Sequence, residues 1–296
     1  MTEIPFVKEI EFDYGVMQQV APGIRRIIAN NPGPFTYTGT GTYVIGNGHV
    51  AVIDPGPDMP EHIDALLSAL EGETISHILI THTHSDHSPG TKQLKAATGA
   101  VTYGYGPHGG KRGQKAEEGG DWDFVPDHEI RHGDIIEGKG WSVEALYTPG
   151  HISNHICYAY REEKALFTGD HVMGWSTSVI SPPDGNMTDY MAALRLLLDR
   201  DDRVYWPTHG APILEPRPFV EAYIAHREDR EDQIMDCLRQ GVRDIPSMVK
   251  IMYAAVPEIL HPAAGRSVQA HLIHMQETGR VRPDGDNLYS AVEGTA

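Results

Sequence analysis

Four side chains that can bind a metal ion lie within six consecutive residues of this sequence. The segment 82–87 reads His-Thr-His-Ser-Asp-His and follows a short apolar run, 77–81, that is typical of a buried strand. A helical pattern begins after Pro89-Gly90, so the histidines lie on a loop between a strand and a helix. Histidines two residues apart in an extended loop point the same way and can bind one metal ion. Asp86 and His87 can then serve a second position, and these ligand types suit Zn²⁺, Fe or Mn.

Three further ligand-type residues each follow an apolar, strand-like run. His151 lies three residues after the run 143–148, Asp170 lies two residues after the run 164–168, and His209 directly follows the run 204–208. Because α/β proteins build their sites at the carboxyl ends of strands, we expect these residues to join the cluster at 82–87. Two divalent cations held there would lower the pKa of a shared water, so that hydroxide exists near neutral pH. The pattern predicts a hydrolase in which Asp86 and Asp170 are the catalytic carboxylates.

The elements that position these residues alternate between strands and helices. The runs 41–46 and 50–54 are separated by Gly and Asn, which predicts a hairpin. Apolar residues recur at helical spacing in 61–71, and a further helix is expected at 189–198. This order favours a layered α/β domain. The Gly-rich segment 104–121 is predicted to be a long loop, which either covers the site as a lid or is an insertion without a role.

A Pro-rich segment, 211–218, separates two parts of different composition. We therefore expect a hydrolase domain at 1–218 and a second domain at 219–296. The second part contains three helical patterns followed by a short strand, which predicts a winged-helix-like module. The predicted helices and strand are, in order, 219–240, 245–255, 263–278 and 280–282.

Composition limits the classes of function. The hydrophobic fraction is 40% and the net charge is −17, which disfavours a chain coated for general nucleic-acid or membrane binding. No stretch approaches the roughly 18–20 apolar residues of a membrane helix, and the first residues lack a signal-peptide pattern. The two cysteines, Cys157 and Cys237, form no disulfide framework. A cytoplasmic protein is expected.

The ligand pattern resembles the metallo-β-lactamase superfamily over residues 20–215. The resemblance depends on the segment 82–87, on His151 after Thr148-Pro149-Gly150, on Asp170 after Thr168-Gly169, and on His209 before Gly210. It implies a four-layer αβ/βα sandwich. It also implies two metal sites, most simply zinc sites, with these ligands: His82, His84 and His151 for the first metal, Asp86, His87 and His209 for the second, and Asp170 as the bridge.

Two residues beside the ligands have alternative interpretations. Asp54 matches a superfamily motif in which an aspartate braces the ligand loop, although an aspartate here could also cap a turn. His171 follows the expected bridge directly. It is either a proton donor or substrate contact, or a side chain that packs beside the site.

The C-terminal part has a narrower resemblance, to the β-lactamase-like protein 2 subfamily with its winged-helix domain. It depends on short motifs within 226–281, among them His226-Arg227, Leu260-His261-Pro262 and Ala270-His271-Leu272. Some members of that subfamily are endoribonucleases that cleave single-stranded RNA. Residues 226–296 contain 8 basic and 11 acidic side chains, which disfavours phosphate binding. A packing or homodimer contact is the alternative role for the module.

Three functions therefore stay open from the sequence. A two-metal hydrolase could cleave a single-stranded RNA phosphodiester. The same hydroxide could instead cleave a small-molecule ester, thioester or lactone. In a third, non-enzymatic interpretation, the metal site is structural and the chain is a nucleic-acid or protein binding module.

Overall fold

Two β-sheets form the centre of the molecule. The computed structural model describes residues 3–109 and 119–292. Within those residues, the first sheet has seven strands in sequence order: β1 (Gln18–Ala21), β2 (Ile24–Ile28), β3 (Gly41–Asn47), β4 (His49–Ile53), β5 (Thr74–Leu79), β6 (Val101–Gly104) and β7 (His128–Glu129). The second sheet has five: β8 (Ile135–Gly138), β9 (Trp141–Tyr147), β10 (Ile156–Tyr160), β11 (Ala165–Gly169) and β12 (Val204–Pro207).

In each sheet the strand pairing changes from antiparallel to parallel close to the expected ligands. Strands β1 to β4 pair antiparallel, and β4 to β7 pair parallel. The predicted hairpin is confirmed as β3–β4, with Tyr43 opposite Ile53. Strands β8 to β11 pair antiparallel, and β11 pairs parallel with β12. Parallel neighbours place their carboxyl ends at the same edge of the sheet, where loops can meet.

Helices cover the outer face of each sheet, which produces four layers. These helices are α1 (Pro60–Ala69), α2 (Thr91–Thr98), α3 (Met187–Leu198) and the start of α4 (Pro216–Arg239). Two more helices, α5 (Ile245–Met252) and α6 (His261–Glu277), follow in the smaller module. Ile63 of α1 and Leu94 of α2 pack on Val44 and Val52 of the first sheet. Leu194 of α3 belongs to the core on the second sheet. The predicted αβ/βα sandwich is confirmed.

The two sheets face each other across a third apolar core. Tyr43 and Ile53 from the first sheet meet Tyr158 and Phe167 from the second, and all four are buried. Alternation along each strand directs one set of side chains to this core and the other to the helices. The site lies at the edge of this sandwich, where β4, β5, β9, β11 and β12 end.

A smaller module follows, with its own core. It contains α5, a short 3₁₀ helix (Glu258–Leu260), α6 and the strand pair β13 (Val281–Pro283) and β14 (Tyr289–Ala291). Met248, Leu272 and Val281 are buried there against Ile234 of α4. The predicted winged-helix-like module is confirmed.

Helix α4 is common to both parts of the chain. Phe219, Val220 and Tyr223 near its start are buried in the core of the sandwich, whereas Ile234 and Leu238 near its end are buried in the core of the small module. The expected boundary between residues 218 and 219 falls inside this helix and stays a prediction.

Part of the predicted loop 104–121 lies outside the described residues. Gly104 ends β6, and the described part resumes at Gly119. The lid interpretation therefore stays a prediction. In the described part of the chain, no helix combines the length and apolar character that crossing a membrane requires.

Candidate metal centre

The seven expected ligands follow the ends of four strands. The segment 82–87 follows β5, and the other three ligands follow β9, β11 and β12: His151, Asp170 and His209. All are buried except Asp86, which is intermediate. The structure brings the seven side chains together, as the strand-end argument predicts.

The first group consists of three imidazoles. His84 Nδ1 lies 3.0 Å from His82 Nε2 and 3.0 Å from His151 Nε2. One N–H on His84 could serve only one of these neighbours, so three converging ring nitrogens fit a shared cation better than a hydrogen-bonded chain. The three side chains form a group that could hold a metal ion.

The second group adds carboxylates to two imidazoles. Asp86 Oδ2 lies 3.4 Å from His87 Nε2 and 3.1 Å from His209 Nε2. This group could hold a second metal ion. Asp170 lies between the groups: its Oδ2 is 3.6 Å from His87 Nε2 and 3.9 Å from His151 Nε2, and its Oδ1 is 3.5 Å from His209 Nε2. A carboxylate in this place can span two cations.

Unsatisfied buried atoms test whether metals fit this site. His87 Nε2, His209 Nε2 and Asp170 Oδ1 are buried and make no hydrogen bond to any described residue. Leaving such atoms unpaired is costly in a protein interior. All three face the same space, and each is an atom type that Zn²⁺, Fe or Mn accepts as a ligand. The residues therefore fit a pair of divalent cations.

Hydrogen bonds to the other ring nitrogen select the ligand form of three histidines. His87 Nδ1 lies 2.9 Å from the Asp54 carboxylate, His209 Nδ1 lies 3.1 Å from the Gly39 carbonyl, and His151 Nδ1 lies 2.6 Å from the Val179 carbonyl. These oxygens only accept, so each Nδ1 carries a proton, and in the neutral ring each Nε2 offers a lone pair.

The hydroxyl of Thr81 does the same for a fourth histidine, His82. It donates to Asp54 Oδ2 at 2.6 Å and therefore accepts from His82 Nδ1 at 3.1 Å. Asp54 also accepts from the Thr81 backbone N–H at 2.8 Å and from the Thr208 hydroxyl at 3.3 Å. Asp54 thus connects the two loops that carry five of the expected ligands, which is consistent with the bracing interpretation.

The charges in the site suit cations. Burial alone would raise the pKa of Asp170, but His209 and His87 outweigh it and lower that pKa. Burial likewise acts to raise the pKa of Asp86, and the nearby His87 and His209 reverse this, so that the net shift is downward. Burial and the neighbouring histidines hold the pKa of His82 well below its usual value. The carboxylates are therefore ionised and His82 is neutral, which are the forms that bind metals. Burial acts to lower the pKa of His87 and His209, but Asp86 and Asp170 outweigh it and raise both pKa values. These two rings would therefore release a proton when a cation binds.

Glycines precede two of the ligands because nothing larger fits. Gly150 has φ +131°, and a Cβ there would lie 2.4 Å from the Cα of Tyr190. Gly169 has φ +50°, and a Cβ there would lie 2.6 Å from His155 Nε2. Both glycines allow the chain to turn directly into a ligand while it packs against neighbouring backbone or rings.

The ring of His171 lies beside the site, and its backbone carbonyl accepts from the hydroxyls of Ser178 and Tyr190. His171 is fully buried, its ring packs edge-on against Tyr190 at 4.9 Å, and neither ring nitrogen makes a hydrogen bond to any described residue. Burial lowers the pKa of His171 to about 3. The geometry favours the packing interpretation over proton donation.

Two buried residues that the sequence did not reveal support the ligands. His155 Nε2 accepts from the Asp170 backbone N–H at 3.2 Å, and its Nδ1 lies 2.9 Å from the Thr148 hydroxyl. Asn154 donates to the Thr83 hydroxyl at 2.8 Å, between two ligand histidines. Their positions in the sequence, three and four residues after His151, could have indicated that they lie near the ligands.

Comparisons with known proteins agree with this geometry. The family model described as metallo-beta-lactamase superfamily matches residues 38–209, which contain every expected ligand. The model described as beta-lactamase associated winged helix domain matches residues 245–290.

Curated relatives align over much of the chain. The lactamase-like protein adaB of Aspergillus niger is 30% identical over 290 residues, which cover 91% of this chain and 85% of that protein. An atrochrysone carboxyl ACP thioesterase of Aspergillus terreus is 31% identical over 231 residues, covering 77% of this chain and 67% of that enzyme.

Solved structures share the fold of both parts. A beta-lactamase domain protein from Burkholderia ambifaria has a TM-score of 0.78 at 18% identity, with 94% of each chain covered. A metallo-beta-lactamase family protein from Thermus thermophilus has a TM-score of 0.75 at 20% identity, covering 93% of this chain and 100% of that one. The chain belongs to the metallo-beta-lactamase superfamily of metal-dependent hydrolases and carries the winged-helix domain associated with it.

Proposed function

We propose that this protein is a two-zinc thioesterase that hydrolyses an acyl thioester presented by a small carrier molecule or an acyl carrier protein. The observation that carries the proposal is the convergence of seven ligand-type side chains, three of whose buried atoms lack hydrogen bonds to the described residues. The first metal would be held by three histidines, the second by one aspartate and two histidines, and both by Asp170. The ligands are those named for the two groups above: His82, His84 and His151; Asp86, His87 and His209.

The residues of the site divide the work of hydrolysis. When bound, two divalent cations supply Lewis acidity and activate water near neutral pH. Asp86 projects one carboxylate oxygen toward His87 and His209 and would accept a hydrogen bond from the attacking water, which orients it. Asp170 contributes negative charge between the two groups and keeps them in register. Asp54 fixes the proton on His87 Nδ1, so that Nε2 stays available.

The thioester assignment rests on the relatives and on chemistry that the site can perform. Two similar proteins are atrochrysone carboxyl ACP thioesterases. In such a reaction, water adds to the carbonyl carbon and the C–S bond breaks. The acyl group leaves as a carboxylic acid, and the thiolate takes the remaining proton. This chemistry falls within the ester, thioester and lactone class that the sequence left open.

Cleavage of RNA has less support. The chain has a net charge of −17, and phosphate binding depends on basic side chains. Arg280 of the small module donates to Glu231 at 2.5 Å, so its charge is already paired. Arg243 is likewise paired with Asp284. Single-stranded RNA is therefore kept as a comparison substrate in the test.

Three further assignments belong to the proposal. Zinc is the proposed metal, and it is favoured over manganese because imidazoles outnumber carboxylates among the ligands. A reducing, cytoplasmic setting suits Cys157 and Cys237, which are both buried and free. A homodimer formed through the small module is the proposed assembly, and the molecular mass in solution tests it.

Metal analysis and hydrolysis assays test the proposed function together. We expect the purified protein to contain about two zinc ions per chain and to release free thiol from an acyl thioester of N-acetylcysteamine. Asp170→Ala should lose at least about a hundredfold of this activity, since it removes a carboxylate that would help to hold both metals. The control is Asp201→Ala, which removes an exposed carboxylate paired with Lys164.

The outcomes separate the candidates. Thiol release that Asp170→Ala abolishes and Asp201→Ala retains supports the thioesterase. Cleavage of labelled single-stranded RNA without thiol release would replace it with the nuclease. Absence of bound metal, or equal turnover by wild type and Asp170→Ala, would refute the metal-dependent mechanism.

A further inference from the structure

The segment 171–179 connects two of the proposed ligands. It begins directly after Asp170, and near its end the Val179 carbonyl accepts from His151 Nδ1 at 2.6 Å. This carbonyl is what selects the proton position on His151, so that Nε2 faces the first metal group. Any shift of the segment would therefore change how His151 presents its lone pair.

A buried arginine from α4 holds this segment. Arg227 is 4% exposed, and its Nη2 donates to the Ser178 carbonyl at 2.6 Å. Its guanidinium also lies over the Tyr190 ring, 5.2 Å from the ring centroid. The hydroxyls of Ser178 and Tyr190 both donate to the His171 carbonyl at 2.8 Å. The start and the end of the segment are thus tied to one arginine and its aromatic neighbour.

The small module fixes the same part of α4. Glu231 lies one helical turn after Arg227 and is 4% exposed. Its carboxylate accepts from Arg280 at 2.5 Å and lies 3.2 Å from His271 Nδ1 of α6. Glu231 and Arg227 share one face of α4, so the contacts of Glu231 with Arg280 and His271 fix the helix directly beside Arg227 and restrict where it can place its guanidinium.

We propose that Arg227 is a positioning residue for the first metal site, through the Ser178 and Val179 backbone and His151. The inference rests on the proposed role of His151 as a ligand. A charged donor to a carbonyl is stronger than a neutral one, and the planar guanidinium bonds Ser178 while it stacks on Tyr190. Removing it leaves the Ser178 carbonyl without its buried donor and frees the neighbouring peptide of Val179 to rotate. His151 then loses the acceptor that orders its ring.

Metal affinity of the whole chain, measured without turnover, tests the inference. Zn²⁺ is titrated into four metal-free proteins in competition with a chromogenic chelator: wild type, Arg227→Met, Arg227→Lys and the control Arg195→Met. Arg195 is an exposed residue of α3 that pairs with Glu228 of α4 at 3.6 Å, so its replacement changes the same helix pair away from the site. We expect Arg227→Met to weaken one of two zinc sites by about tenfold or more. Arg227→Lys should recover part of this loss, and Arg195→Met should match wild type.

A role in folding alone gives a different result. Arg227→Met would then unfold at lower urea concentration, but its folded fraction would bind both zinc ions as wild type does, and that outcome overturns the inference. If Arg227→Met does not fold, wild-type zinc affinity in Arg227→Lys together with wild-type kcat and KM overturns it equally. Failure of wild type to bind zinc would refute the proposed function instead, so the two failures are distinguishable.

Discussion

Replacing Asp54 with asparagine exchanges one carboxylate oxygen for an NH₂ group and should weaken the second metal site. Asp54 lies behind the ligands and is 1% exposed. Its Oδ1 accepts from the Thr81 backbone N–H at 2.8 Å, and its Oδ2 lies 2.9 Å from His87 Nδ1. Asparagine keeps the shape but replaces one acceptor with an NH₂ donor.

The geometry decides where that donor must go. The Thr81 backbone N–H can only donate, so the amide oxygen must keep the Oδ1 place and the NH₂ must take the place of Oδ2. It then opposes the N–H of His87, unless His87 moves its proton to Nε2, the atom that faces Asp86 and Asp170. Loss of a hydrogen bond to a charged group costs about 1.5–3 kcal/mol. Affinity at the second metal site should therefore fall by roughly 10- to 150-fold.

Zinc titration of metal-free protein measures this loss directly, and hydrolysis of the thioester should fall in parallel. The control is Asp202→Asn, which also neutralises a buried carboxylate but one that pairs with Arg200 away from the site, at 2.7 Å. If Asp54→Asn binds two zinc ions as tightly as Asp202→Asn does, the tautomer argument for His87 is wrong.

Two further predictions concern the surroundings of the site. Gly169→Ala should destabilise the fold by about 1–3 kcal/mol and reduce hydrolysis, because φ there is +50° and the new Cβ would meet His155. A urea-unfolding midpoint equal to that of wild type would contradict this. Burial lowers the pKa of His62 to about 4 from 6.5, so its neutral form stabilises the fold fully above pH 6.5 and this contribution is lost as pH falls through about 4. His62→Gln should remove up to about 3 kcal/mol of that pH dependence of the free energy of unfolding, measured in urea. The exposed control His128→Gln should retain it. If the free energy of unfolding changes with pH equally in both variants, the prediction is wrong.

The ligands could be found from the sequence because each follows a strand. A short apolar run that ends in Gly, Pro or Thr and then His or Asp is a local pattern, and the parallel pairs β4–β5 and β11–β12 bring such ends together. Local periodicity also located the helices to within a few residues: the expected helix at 189–198 is observed as Met187–Leu198.

The support behind the ligands could not be found in this way. Arg227 is distant in sequence from the Ser178 carbonyl it binds, and His155 reaches Asp170 only because β10 and β11 pair. An arginine within a helical pattern is usually an exposed residue, and nothing in its neighbours in sequence shows that this one is buried. Such contacts are set by tertiary packing, which single-sequence periodicity does not contain.

Helix α4 also has a consequence for how the chain can be divided. The match to the first family model ends at residue 209, and the match to the second begins at residue 245. Helix α4 fills most of the interval between them. A cut at the Pro-rich segment would strip Phe219 and Tyr223 from the sandwich and leave an apolar surface exposed. A cut after Arg239 would leave Ile234 and Leu238 without the module that covers them. The shared helix therefore makes the two parts one unit for expression, because each would expose apolar surface if it were produced alone.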